Sequence, residues 1–108
     1  VQTLDLSNFD TSNAIDMQYM FDGCRATTIK GLEKFNTSKV TNMNEMFKNS
    51  YATILDLSSF DISKVTDMSG MFNGAKSTTG YAKDKTTADK FNDSSVTKIP
   101  KTLKFTVK

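Results

Sequence analysis

The sequence predicts an α/β solenoid in which each copy of a repeat of about 25 residues supplies one short parallel strand and a short helix or 3-10 turn. Phe9, Phe35 and Phe60 follow one another at intervals of 26 and 25 residues. Four further apolar columns keep the same two intervals. They are Leu6, Leu32 and Leu57; Met17, Met43 and Met68; Met20, Met46 and Met71; and Phe21, Phe47 and Phe72. Each copy also contains two different hydrophobic periods, which separates a strand from a helical segment.

The first element of each copy is a short strand. Leucines occupy both ends of segments 4–6 and 55–57 and flank a polar Asp, an alternation typical of a half-buried strand. In the second copy Lys30 stands where the first leucine is expected. The extra residue of the longer interval is assigned to the Thr-rich stretch around Thr27 and Thr28, where a loop can absorb it.

The second element is a helical turn. Val40, Met43, Met46 and Phe47 fall at i, i+3, i+6 and i+7, the period of one helix face. A residue that adopts left-handed geometry at low cost follows two positions after the phenylalanine of each copy, where it would end a helix. These residues are Gly23, Asn49 and Gly74.

The chain therefore divides into three copies, at about 1–26, 27–51 and 52–76, and a tail over 77–108. The polar stretch up to residue 90 predicts a loop or irregular insertion. Segment 91–97, FNDSSVT, matches FDISKVT at 60–66 with a shift of 31 residues, which indicates a degenerate fourth copy. Apolar and Lys or Thr residues alternate over 102–108, which predicts a C-terminal β element that caps the stack. The alternative is the first strand of a following domain.

Composition excludes several functions. The net charge is +2 and the basic residues include one arginine, Arg25, which argues against a nucleic-acid partner. No apolar run approaches the roughly 20 residues of a membrane span. One cysteine, Cys24, and no histidine exclude an internal disulfide, a zinc cage and a Ser-His-Asp triad. We therefore expect no enzyme, no catalytic residue and no cofactor.

Two polar columns accompany the apolar ones and leave one metal to consider. Asp or Asn residues recur beside the phenylalanine column and again before the methionines; these are Asp10, Asn36 and Asp61, and Asp16, Asn42 and Asp67. Stacked carboxylates are typical of calcium-binding β-rolls, but the glycine-rich nonapeptide of those proteins is missing. Asx turns that hold backbone amides are the favoured interpretation, and calcium is the alternative.

Segment 55–72, LDLSSFDISKVTDMSGMF, resembles the BspA-like leucine-rich repeats of bacterial surface proteins. The Leu-Asp-Leu-Ser, Phe-Asp-x-Ser, Val-Thr and Met-x-x-Met-Phe elements carry the resemblance, which covers roughly residues 1–76. It implies a leucine-rich-repeat solenoid on a secreted or wall-attached protein, and an adhesin among its functions. Val1, Thr27 and Ala52 depart from the leucine that usually opens the family's LxxLxL motif.

We expect the residues that point outward from the strands to form a mixed apolar and acidic ligand-facing strip. These residues are Thr3, Asp5, Ser7, Ile29, Gly31, Glu33, Ile54, Asp56 and Ser58. The predicted function is a non-catalytic extracellular module that binds a host matrix protein, a cell-surface protein or a glycan. The alternative is a structural spacer or filament subunit. The chain begins within the repeat pattern, so it is interpreted as part of a longer protein, with upstream repeats or self-association at its N-terminal end.

Overall fold

The computed structural model describes residues 2–108. Its regular elements are five short strands, two short α-helices and one 3-10 helix. In chain order they are β1 (Thr3–Asp5), β2 (Thr28–Lys30), the 3-10 helix (Leu32–Lys34), β3 (Ile54–Leu57), β4 (Thr79–Ala82), α1 (Lys85–Phe91), α2 (Ser94–Thr97) and β5 (Phe105–Val107). Within this part of the chain no helix is long and apolar enough to cross a membrane.

The strands pair in parallel and form two sheets. One sheet contains β1 and β2, and the other has the order β3-β4-β5. Thr3 lies opposite Thr28, and Ile54 lies opposite Thr79, so paired residues are 25 positions apart. Two isolated parallel bridges join Asn42 to its counterparts in the neighbouring copies. Equivalent segments of successive copies therefore lie side by side.

The extra residue of the 26-residue interval is Gly31, not a residue near Thr27. Leu4 lies opposite Ile29 in the ladder, so Ile29, and not Lys30, occupies the first apolar position of the second strand. Gly31 has a φ of 100°, and a Cβ atom there would lie 2.7 Å from the carbonyl carbon of Leu6. The insertion fits because glycine tolerates both the positive φ and the close backbone approach.

The Met-x-x-Met-Phe segments form successive turns, in which N–H groups such as that of Met46 donate to the residue three positions earlier. A continuous helix is absent, and of the two predicted alternatives the segments are closer to the 3-10 turn. The Met46 N–H donates to Met43 within the copy, whereas the next N–H, of Phe47, donates to Met71 of the following copy at 2.8 Å. Positive φ values at Glu45 and Asn49 prevent a continuous helix. The apolar spacing resembles that of a helix because the turns also place those side chains on one side.

The prediction of left-handed backbone two positions after each phenylalanine is confirmed. Gly23, Asn49 and Gly74 have φ values of 70°, 57° and 72°. These residues end a run of turns instead of a helix.

Phenylalanines from successive copies stack in the core. The Phe21 and Phe47 ring centroids are 5.2 Å apart with an interplanar angle of 11°, and those of Phe47 and Phe72 are 5.9 Å apart at 10°. All three side chains are buried. Fully burying such a side chain contributes about 1.5–3 kcal/mol, so a column shared between copies stabilises segments too small to hold a core alone.

A second phenylalanine column is only partly as predicted. Phe35 and Phe60 are buried and stacked, with centroids 6.0 Å apart. Phe9, the first member, is 60% exposed, and Met20 of the first copy is 39% exposed. The prediction that both belong to the buried core is wrong, because no described segment covers that side of the first copy.

The predicted loop over 76–90 is wrong, because it contains β4 and all but the last residue of α1. β4 follows β3 at the same 25-residue interval. The sequence of β4 has little hydrophobic signal because it contains Gly80. A Cβ atom at Gly80 would lie 2.6 Å from the Phe105 ring. The ring of β5 thus fills the space that the larger residue of other copies would occupy. Asp84 caps α1 by accepting from the Thr87 N–H at 2.8 Å.

Segment 91–97, the predicted degenerate fourth copy, continues the hydrogen bonding of the third copy with a different local structure. The Gly70 N–H donates to Val96 at 2.8 Å, and the Phe72 N–H donates to Thr97 at 3.0 Å. Both acceptors lie in α2, whereas the matching residues of the third copy are not helical.

The predicted C-terminal strand is present as β5, which pairs with β4 in parallel. Leu103 and Phe105 are buried as the alternation predicts, but Val107 is exposed. The end of β5 therefore turns one apolar side chain to solvent.

Candidate binding face

The exposed side of the strands carries two rows of side chains. Strand residues alternate between the core and this side, as a pleated strand requires. The first row contains Thr3, Thr28 and Ile54, all exposed, followed by the half-buried Thr79. Ile54 is 51% exposed, which makes it the large apolar side chain of the row.

The second row alternates in charge. Asp5 lies opposite Lys30 in the ladder of β1 and β2. Hydrogen bonds from the Ser7 hydroxyl and backbone N–H, at 2.6 and 2.9 Å, lower the pKa of Asp5, and the charge of Lys30 adds to this effect. Asp5 is therefore held as a carboxylate beside a cation.

Asp56 and Tyr81 continue this row and are joined by the C-terminal residue. Lys108 Nζ donates to Asp56 Oδ2 and lies 5.5 Å from the centroid of the Tyr81 ring. Burial disfavours the charged form of Asp56, but hydrogen bonds from Lys108 and Ser58 outweigh it and lower the pKa. The hydrogen bond to Asp56 and the charge of its carboxylate raise the pKa of Lys108. Lys108 is thus held against the face by an ion pair.

A groove opens on this face between the two sheets. β2 and β3 are edge strands of different sheets, although the Thr53 N–H still donates to Thr27 at 3.0 Å. The groove is lined by hydroxyl, apolar and carboxylate side chains. These are Thr27, Thr28, Ile29, Thr53, Ile54 and Asp56.

The structure places part of the predicted strip on the outer side of the strands. Four of its members are exposed, namely Thr3, Asp5, Glu33 and Ile54, and three are half-buried, namely Ser7, Asp56 and Ser58. The outward orientation predicted for Ile29 and Gly31 is wrong. Ile29 is buried in the core, and Gly31 is buried against the backbone of the first copy.

Ile29 and Gly31 are predicted on the wrong side because the prediction puts the inserted residue before β2, whereas the structure has it after β2. Shifting a strand by one residue exchanges its core side and its solvent side. Sequence reasoning consequently missed Thr28 and Lys30, which occupy the positions given to Ile29 and Gly31. It also missed Tyr81, although Tyr81 lies 25 residues after Asp56.

The polar columns form Asx turns, as predicted. Asp10 accepts from the Ser12 N–H at 3.0 Å and from its hydroxyl at 2.6 Å. Asn36 makes the same two contacts with Ser38, at 3.0 and 2.7 Å. Amide and carboxylate are therefore interchangeable at this position. Within residues 2–108 no three His, Cys, Asp or Glu side chains are grouped to hold a metal. Cys24 is a half-buried free thiol.

These features define the class of protein: a repeat protein whose copies pair strand to strand in parallel and present a polar face with a groove of mixed polar and apolar lining. The chain belongs to the family described as Mycoplasma protein of unknown function, DUF285, whose model matches residues 1–106. No curated protein and no solved structure matches the chain.

Proposed function

We propose that this chain is a segment of a BspA-like leucine-rich-repeat solenoid on a bacterial cell surface, and that its strand face binds a host matrix protein or a glycan. Parallel pairing at 25-residue intervals and stacked phenylalanines support the solenoid. In a solenoid of this kind the strands line one continuous surface, which suits an extended partner.

The groove between β2 and β3 is the observation that carries the binding proposal. Ile54 stands exposed at its edge, and Thr28 and Asp56 supply hydroxyl and carboxylate groups beside it. Binding sites combine apolar contact with a few polar groups that fix orientation. Tyr81, half-buried on the next strand, extends the surface with an aromatic ring, and such rings are enriched at interfaces.

The carboxylates of the face favour binding over catalysis. A general acid near neutral pH needs a raised pKa, whereas hydrogen bonds lower the pKa of Asp5 and of Asp56. Each group is already oriented by the serine two positions after it. They suit fixed acceptors for an amide, a hydroxyl or a cation of a ligand.

The test measures binding to immobilised fibronectin, laminin and mucin and to an array of mammalian glycans. The Ile54→Arg variant places a charge at the groove. Ile15→Arg is the matched control, because Ile15 is 59% exposed and lies outside the strands. We expect wild type and Ile15→Arg to bind at least one probe and Ile54→Arg to lose that binding. Equal binding by the two variants, or binding to none of the probes, would overturn the proposal.

A spacer or assembly subunit is the second candidate, and the charge pattern favours it. Asp5 lies beside Lys30, and Asp56 pairs with Lys108, so the face offers little net charge to a partner. A spacer would bind none of the probes. Its length would matter instead, and doubling the number of copies would extend the particle without changing its surface chemistry.

A further inference from the structure

The side of the first copy that faces away from β2 is unlike the rest of the molecule. Phe9 and Met20 are exposed there, at 60% and 39%, whereas their equivalents Phe35 and Met46 are buried. In the second copy the equivalent surface is covered by the first copy. The fold therefore shows that a neighbouring copy of the repeat can cover such a surface.

The backbone of the first copy also differs from the rest of the molecule on the side that faces away from β2, because its carbonyl groups there accept no backbone hydrogen bond in residues 2–108. Carbonyl groups of the second copy accept N–H groups of the first along the turns: Met17 donates to Asn42 at 2.9 Å, and Phe21 donates to Met46 at 2.8 Å. The equivalent carbonyl groups of the first copy belong to the residues 26 positions earlier in the chain. These residues are Asp16, Gln18, Met20 and Asp22. Within residues 2–108 these four accept no backbone N–H.

We propose that this side of the first copy is an interface for one more coil of the same repeat, a coil being one folded copy of about 25 residues. The coil would lie parallel to β1, place its own phenylalanine and methionine on Phe9 and Met20, and direct alternate N–H groups at the four carbonyls. The proposal rests on the proposed solenoid and not on any ligand of the strand face.

A second molecule of this chain fits the interface poorly in either orientation. Two first copies placed face to face would oppose carbonyl to carbonyl and bring together the exposed Asp5, Asp10, Asp16 and Asp22, in a segment with no Lys or Arg before Arg25. Like charges so placed repel. The opposite end of the molecule has charges of the right sign, with exposed Lys98 and Lys101, but it lacks the donors.

The donors are missing because that end is helical. In α2 and just after it, the N–H groups of Val96, Thr97 and Lys98 donate to Asp93 and Ser94 of the same segment. An extended turn of the repeat instead directs every second N–H to its neighbour, as Phe47 does. The pattern of donors selects a coil of the repeat and not the tail.

The experiment joins a second copy of residues 52–76 directly to the front of the full chain. This segment has 25 residues, so its Thr53 would lie 25 positions before Gln2 and keep the observed register. The control carries the same addition with Phe60→Ser, Met71→Ser and Phe72→Ser in the added segment alone. Both proteins and the original chain are treated with hydrogen peroxide, and oxidation of each methionine is followed by peptide mass spectrometry.

In the original chain we expect Met20 to oxidise faster than the buried Met46. In the extended protein this difference should disappear and the melting temperature should rise. In the control the difference should persist. Oxidation of Met20 at its original rate in the extended protein would overturn the proposal. A doubled mass by light scattering, with Met20 protected in the original chain as its concentration rises, would overturn it in favour of self-association. Neither result depends on whether fibronectin, laminin, mucin or a glycan binds.

Discussion

Truncation of Phe47 is the most direct test of the stacked core. Its ring is fully buried and lies between the rings of Phe21 and Phe72, nearly parallel to both. Burial of this side chain contributes about 1.5–3 kcal/mol. Truncation also leaves a cavity between the two neighbouring rings, which adds to the loss, so we expect Phe47→Ala to cost about 3–5 kcal/mol.

A loss of this size is comparable with the whole stability of a small domain, about 5–15 kcal/mol. For a chain of this length it lowers the melting temperature by roughly 10–25 °C, which circular dichroism measures directly. Phe9→Ala is the matched control, because the Phe9 ring is mostly exposed, and we expect it to change the melting temperature by only a few degrees. A Phe47→Ala protein that melts within a few degrees of wild type, or no earlier than Phe9→Ala, would refute the shared core.

Three further predictions test the turns and the tail. Gly31→Ala should cost more than about 1–3 kcal/mol, because backbone contact adds to the strain of its positive φ; Gly23→Ala, with φ also positive but nothing within 4 Å, should cost less in the same urea titration. Hydrogen bonds from Ser12 lower the pKa of Asp10, so its stabilising effect is present above the unfolded pKa and is lost as the pH falls through the folded value, below about pH 4. Asp10→Asn should keep the turn and remove one contribution to this acid limb of stability, to which Asp5, Asp56, Asp61 and Asp84 also contribute, and an unchanged limb would contradict the assignment. Gly80→Ala should displace the ring behind β4 and destabilise the C-terminal strand, which hydrogen exchange of β5 amides would show as faster exchange.

Sequence reasoning found the features that recur and missed those that break the period. The apolar columns, the short strands and the Asx turns follow from spacing, because each depends on residue type alone. The position of the insertion does not, since Lys30 and Gly31 fit either alignment until the backbone approach at Gly31 is known. β4 was missed because Gly80 and Ala82 carry little hydrophobic signal. The space beside Gly80 is filled by Phe105, a residue 25 positions away, and such compensation is visible only in three dimensions.

The position of the inserted residue matters more for the predicted site than for the fold. A shift of one residue leaves a strand a strand, but it exchanges its core side and its solvent side. Asp5 and Ile54 were assigned to the correct side, whereas Ile29 was not. The sequence around Met43 has the apolar spacing of a helix face because two hydrogen-bonding patterns, one within a copy and one between copies, place apolar side chains at similar intervals.

The hydrogen bonds between copies give the molecule a characteristic response to tension. The two ends of each bond, such as Phe47 to Met71, lie in neighbouring copies, so a pull applied to the chain termini would open one copy after another instead of shearing all of them together. Each copy that detaches would release about 25 residues, or roughly 80–90 Å of extended chain. A protein of this construction would lengthen under load in equal steps and keep its remaining copies folded.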